Sequence, residues 1–355
     1  MIFFFILLAA ALLWLLFPLT PSLLEFVRPT DIAPLKVVSR DSGDIAFFAN
    51  NFRNYFLAQA EKFDFTTIRD LELSQLPDSS PFMRVRGNVC FPPNHNQASN
   101  TVDYLVIAGP ETTLPDNITF LREVYGVGGL TGGVGCAYRA VLADRDLTLL
   151  GESIVLRWAH SMGTFTVQEG SILHGRTSSD EELFLASGVT FEWISAPVIL
   201  VGKANEVNDI SQLQLRDVTF NQVDLKVMTD GTYRFDGDIS IPANGLVTGN
   251  FIVTGRIYIG SRAHIKGSIK AYKNIITEDN CRIDGSVVTR STINIGKFCI
   301  VKGPLISETG IIIGQGTMVG NKEELSTISA PIVTIHSGTV IYGMVVAQRL
   351  GQTSK

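Results

Sequence analysis

Ile257-Tyr258-Ile259-Gly260-Ser261-Arg262-Ala263-His264-Ile265-Lys266-Gly267-Ser268-Ile269-Lys270-Ala271, answered by Ile275-Ile276-Thr277-Glu278-Asp279-Asn280-Cys281-Arg282-Ile283-Asp284-Gly285-Ser286-Val287-Val288-Thr289, decides the fold. The second run repeats the first at a distance of eighteen residues. Ile239, Ile257, Ile275, Ile293 and Ile311 keep that interval, as do Val247, Ile265, Ile283, Val301 and Val319. A fixed period of this size marks a solenoid, whose single turn cannot bury its apolar face and therefore stacks on the next.

The period divides by three. Every sixth residue from Ile241 to Val319 is aliphatic or small, with Ala271, Thr277, Thr289 and Ser307 as the small members. That is the pattern of an all-β, three-sided β-helix with one inward residue at a fixed place on each side, since side chains alternate in and out along a strand. Glycines at Gly249, Gly267, Gly285 and Gly303 mark corners that need positive φ or close approach between turns. Residues eighteen apart then stack at about 4.8 Å. One such column, Lys266, Asp284 and Lys302, alternates in charge, which like charges would not tolerate. Another sets Cys281 over Cys299, read as stacked small core residues, with a disulfide sterically open.

The chain opens with residues 2–24, which carry no charge and are rich in Phe and Leu. At helical rise they span about 34 Å, enough for a hydrocarbon core of roughly 30 Å. We read them as an uncleaved transmembrane helix, because no basic residue precedes the run and no small-x-small site follows it. Arg28, Lys36 and Arg40 all lie beyond it, which favours a cytoplasmic body. Residues 25–82 are a juxtamembrane linker holding an amphipathic helix over about 44–63, with Ile45, Phe48, Phe52, Tyr55, Phe56, Gln59 and Phe63 at helical spacing. That helix either lies on the membrane or packs against the solenoid's end.

Gly87-Asn88-Val89-Cys90-Phe91-Pro92-Pro93-Asn94 aligns with Gly237-Asp238-Ile239-Ser240-Ile241-Pro242-Ala243-Asn244, 150 residues on. The beat of eighteen returns at Leu147, Phe165 and Leu183. Residues 83–202 are therefore expected to be a degenerate first solenoid, 203–232 an irregular connection, and 233–350 the regular second solenoid.

Chemistry is sparse. Net charge is −5 with mixed signs, against a nucleic-acid binder. The four cysteines lack zinc spacing, and Gly126 to Gly133 lacks the Lys-Ser/Thr of a phosphate loop. His95, His160, His174, His264 and His336 lie on different turns, and no cofactor, metal site or catalytic group is expected. The enzymatic alternative is a hexapeptide-repeat acyltransferase acting at the membrane. Its Ile-Gly pair occurs once per turn, at Ile259-Gly260, Ile295-Gly296 and Ile313-Gly314, instead of three times.

Over residues 235–347 the chain resembles the bactofilins, polymer-forming bacterial cytoskeletal proteins. Ile257 to Ala271, Cys281-Arg282-Ile283-Asp284-Gly285-Ser286-Val287 and Cys299-Ile300-Val301-Lys302-Gly303 carry the resemblance. It implies a right-handed β-helix that polymerises through its ends, attached to the bacterial inner membrane as a single-pass protein and serving as a scaffold. Its partners would be other copies of itself and, through residues 2–24, the bilayer. Because only a short polar tail follows Ala347, the carboxyl end is expected to be the bare assembly surface, with Val333, Val340, Val345 and Val346 on it. A charge at Val340 or Val345 is then expected to weaken self-association without unfolding. An insertion at Asn321–Ala330 could cap that end.

Overall fold

A computed structural model describes residues 2–4, 7, 44–60, 71–76, 79–88, 100–203, 215–218, 225–228 and 232–355. The chain falls into two units, Met1–Asp44 and Ile45–Lys355. In the first unit, residues 2–4 and 7 are helical and exposed; the rest of the expected spanning segment lies outside the described residues. Among the described residues no helix is long and apolar enough to cross a membrane.

The second unit is an all-β solenoid of about 13 turns. Its three sides pair in register with the repeat. Ile239, Ile257, Ile275, Ile293 and Ile311 are successive parallel partners on one side. Val247, Ile265, Ile283, Val301 and Val319 follow one another on the second. Phe251, Ile269, Val287 and Leu305 do so on the third. Every sixth residue from Ile241 to Val319 is buried, the small polar ones included. Thr277 Oγ1 accepts from Gly296 N at 2.9 Å, and Ser307 Oγ accepts from Gly310 N at 2.9 Å. A hydroxyl next to a corner thus satisfies a backbone group that the turn leaves without a ladder partner.

The expected corner glycines meet both of their reasons, Gly249 with a φ of 123° and the later ones with crowding, while a second row of corners does without glycine. Left-handed φ recurs at Asn244, Arg262, Asn280 and Phe298, none of them glycine, before Gly316 takes the same place. The column of Gly285 and Gly303 answers to crowding: a Cβ on Gly285 would lie 2.5 Å from Gly267 O, and one on Gly303 2.5 Å from the Gly285 carbonyl carbon.

The first half is a full stack from Pro81–Val85 to Thr190–Val201. Leu147, Phe165 and Leu183 are parallel partners, as are Val155, Leu173 and Phe191. Its beat is eroded in the sequence because bulges follow Phe120, Val155 and Leu173, where the register slips.

The insertion is narrower than expected. The pairing interval goes from eighteen residues at Val301↔Val319 to twenty-three at Leu305↔Ile328 and twenty-two at Met318↔Val340, and the strand Ser326–His336 is already back in the stack. Asn321 Oδ1 accepts from the backbone N–H groups of Glu323 and Glu324, which closes a small turn at one corner. It caps nothing.

Helix α1, Phe47–Ala60, packs on a flank of the first stack, neither at its end nor free of it. Ala49 and Phe56 are buried and Phe52 half-buried, at the spacing of one helical face. They meet Phe82, Tyr125, Leu142 and Trp158, outward-facing residues of that side. Arg53 Nε reaches Asp144 Oδ1 at 2.7 Å, and Tyr125 donates to Asp144 Oδ2 at 2.6 Å. Burial and the Asp144 acceptor push the Tyr125 hydroxyl well above the ordinary phenol range, so it stays a donor.

Candidate functional site: the junction and the two outer ends

A solenoid offers its ends as sites, because the last turn has backbone groups without a next turn to pair them. This chain has four stack ends. Two of them meet.

The strand Thr190–Val201, the last turn of the first stack, runs antiparallel along the strand Val340–Ser354, the last turn of the second. Phe191 pairs Gly351, Trp193 and Ile194 pair Val346 and Val345, and Leu200 pairs Val340, so the contact follows all three sides. Gly338 N donates to Val201 O at 2.6 Å, and Val201 N to Thr339 O at 3.0 Å. Thr353 Oγ1 accepts from Val189 N at 2.9 Å and donates to Ala186 O at 2.7 Å. Phe191, Ile194 and Ile199 share one continuous core with Ile341, Val345 and Ala347. The antiparallel sense follows from the joint, since two stacks meeting carboxyl end to carboxyl end carry opposed strand directions.

The surface expected to be bare is therefore filled from within. Val333 and Val345 are 0 % exposed; Val340 and Val346 are half-buried partners of Leu200 and Trp193. The reason is physical: the open edge finds its match in the first stack's own last turn. No periodic signal in the sequence links residues 190–201 to 340–354, so this pairing could not be read beforehand.

The two remaining ends are both amino-terminal. At one, the strand Leu71–Gln75 lies antiparallel on Pro81–Val85; at the other, Leu225–Val227 lies antiparallel on Tyr233–Phe235. Met83-Arg84-Val85 and Tyr233-Arg234-Phe235 are 150 residues apart, so the two ends are built alike. Among the described residues nothing pairs with the outer edge of either covering strand. Leu73 is 57 % exposed at the first end and Val227 65 % at the second. Arg84 is ion-paired with Glu72, which fastens the first covering strand.

The charge column is half as expected. Lys302 Nζ lies 3.0 Å from Asp284 Oδ1, but the other partners of Asp284 are His264 Nε2 at 2.7 Å and Arg282 Nε at 3.1 Å. Lys266 forms none of these pairs, because His264 shares its strand and its outward sense and reaches the carboxylate first. Partial burial would raise the Asp284 carboxyl; hydrogen bonds from His264, Lys302 and Arg282 outweigh it and bring it down to about 2.

Cys281 and Cys299 are free and buried, their thiols donating to Gly260 O at 3.2 Å and Glu278 O at 3.3 Å. The described histidines sit apart from one another. His160 is buried against Ser178, His174 faces Glu192, and His336 faces Lys355 O. His95 and Cys90 lie outside the described residues. A shallow cleft of ≈ 440 Å³ on the second stack is lined by Asp279, Lys297, Gln315, His336 and Lys355. Its carboxylate is already used, accepting from Lys297 N at 2.7 Å. Among the described residues no three His, Cys, Asp or Glu side chains are grouped to hold a metal ion. Comparison of the chain with family models, with curated proteins and with solved structures gives no significant match.

Proposed function

We propose that this chain is a membrane-anchored, bactofilin-like structural or scaffold protein that self-associates through the outer ends of its solenoid and performs no catalysis. The observation that carries this reading is the pair of matching outer ends, each closed on one side by a single antiparallel strand with an apolar residue, Leu73 or Val227, left in water. An edge strand of this kind is a template for pairing with another chain unless it is blocked. Because the carboxyl ends are joined inside the molecule, one chain is bivalent and adds copies at both ends. Such a chain makes rods without polarity. The expected setting is the bacterial inner membrane, with residues 2–24 as a single span and the solenoid on the cytoplasmic side.

The test is a pair of charges. Leu73→Asp and Val227→Asp, singly and together, are expected to abolish end-to-end assembly in sedimentation velocity while the melting temperature stays put, since both side chains are exposed. Unchanged assembly in the double variant would remove the outer ends from the account. Discrete trimers in the unaltered protein would favour the acyltransferase alternative.

A further inference from the structure

We propose that charge selects unlike ends for the joints between copies, the Leu71–Gln75 end of one chain meeting the Leu225–Val227 end of the next; the proposal rests on the reading that copies associate through these ends. The two stacks differ sharply in charge. With its covering strand, the first stack, residues 71–203, carries fourteen acidic and eight basic residues, a net −6. The second, residues 225–355, carries nine acidic and fourteen basic residues, a net +5. Joining like ends would set −6 against −6 at one joint and +5 against +5 at the next. Joining unlike ends sets an acidic stack against a basic one at every joint, as the chain already does at its internal junction. Complementary charge of this kind selects partners more than it adds affinity. The rod's lack of polarity is then one of strand sense, which alternates from stack to stack whichever ends meet.

The covering strands agree. Leu71 and Leu73 lie opposite Val85 and Met83 in register, so they extend two core columns past the last turn, yet they are 36 % and 57 % exposed. At the other end Leu225 and Val227 lie opposite Phe235 and Tyr233. The middle residue of the first strand is Glu72, whose side chain stays 45 % exposed beside Arg84. Its counterpart is Lys226, paired in register with a second basic residue, Arg234. An antiparallel joint of Leu71-Glu72-Leu73 with Leu225-Lys226-Val227 sets Glu72 opposite Lys226 and apolar residues opposite apolar ones. The same joint between two second ends sets Lys226 opposite Lys226, and like charges directly opposite each other are destabilising.

The experiment is cross-linking of the full chain in detergent, in a variant carrying Leu73→Cys, Val227→Cys and Cys90→Ser; Cys136, Cys281 and Cys299 are buried. A short bismaleimide is added and the linked peptides are counted by mass spectrometry. Links between 73 and 227 are expected to outnumber 73–73 and 227–227 links together several-fold in about 0.1 M salt. Most of that excess should vanish in about 1 M salt, where the screening length falls from about 10 Å to about 3 Å. Like-end links as frequent as unlike ones at the lower salt would overturn the proposal and leave end-to-end association standing. An excess of unlike links that salt does not change would remove charge as its cause and overturn it too. No links of any kind between copies would remove the end-to-end reading and this proposal together.

Discussion

Gly303 and Asn280 hold superficially similar places at the corners and are expected to respond oppositely to substitution. A Cβ at Gly303 would sit 2.5 Å from a carbonyl carbon of the turn below, and only backbone movement relieves that. Gly303→Ala is expected to cost about 1–3 kcal/mol in thermal or denaturant unfolding. Asn280 already adopts a φ of 61°, so Asn280→Gly is expected to be neutral or stabilising by up to about 1 kcal/mol. Asp284 gives the pH dependence. Its carboxyl is lowered from 3.8 to about 2, so its stabilisation is present above the unfolded value and is lost as pH falls from about 4 towards 2. In Asp284→Asn that slope should flatten, with a loss near neutrality of about 1 kcal/mol, since the group is partly solvated. The inward columns were legible because a strand's period of two and a side of six residues keep one phase. Which side chain of that strand meets Asp284 was not legible, because His264 and Lys266 point the same way and only side-chain reach separates them.

Helix α1 was legible from its apolar spacing, which marked Phe52 and Phe56 correctly but missed the buried Ala49 and included Phe48 and Tyr55, which are exposed. Its docking place was not, because the receiving surface is assembled from Phe82, Tyr125, Leu142 and Trp158 on four different strands. The Arg53–Asp144–Tyr125 group fixes the helix on that surface. Asp144→Ala removes both contacts and strands the Tyr125 hydroxyl in a buried site. It is expected to cost about 1–3 kcal/mol and to make residues 47–60 the first point of protease cleavage. Unaltered cleavage kinetics would show that packing of Phe52 and Phe56 alone holds the helix. The insertion teaches the same lesson: residues 321–325 interrupt the beat in sequence, yet they leave the stack by one corner and return to it.

The molecule as a whole is two stacks joined carboxyl end to carboxyl end around one core. The repeat at 150 residues told of two copies and nothing of their orientation, because an antiparallel edge-to-edge joint needs no shared phase. Lys203 stands beside the junction while Arg216 pairs near the far end of the second stack, at Gly245. Those two levels of the second stack lie five turns apart, about 24 Å at the inter-strand spacing. Val345→Asp would bury a charge in the joint and is expected to cost about 3–5 kcal/mol, seen as a lower melting temperature and not as a selective loss of assembly. The central claim is that copies associate through the two amino-terminal ends, and electron microscopy of the full chain in nanodiscs or detergent tests it most directly. The account predicts strings whose repeat is one whole molecule, two stacks long, with every joint between outer ends. Particles that remain single at all concentrations, or that close into trimers, would contradict it.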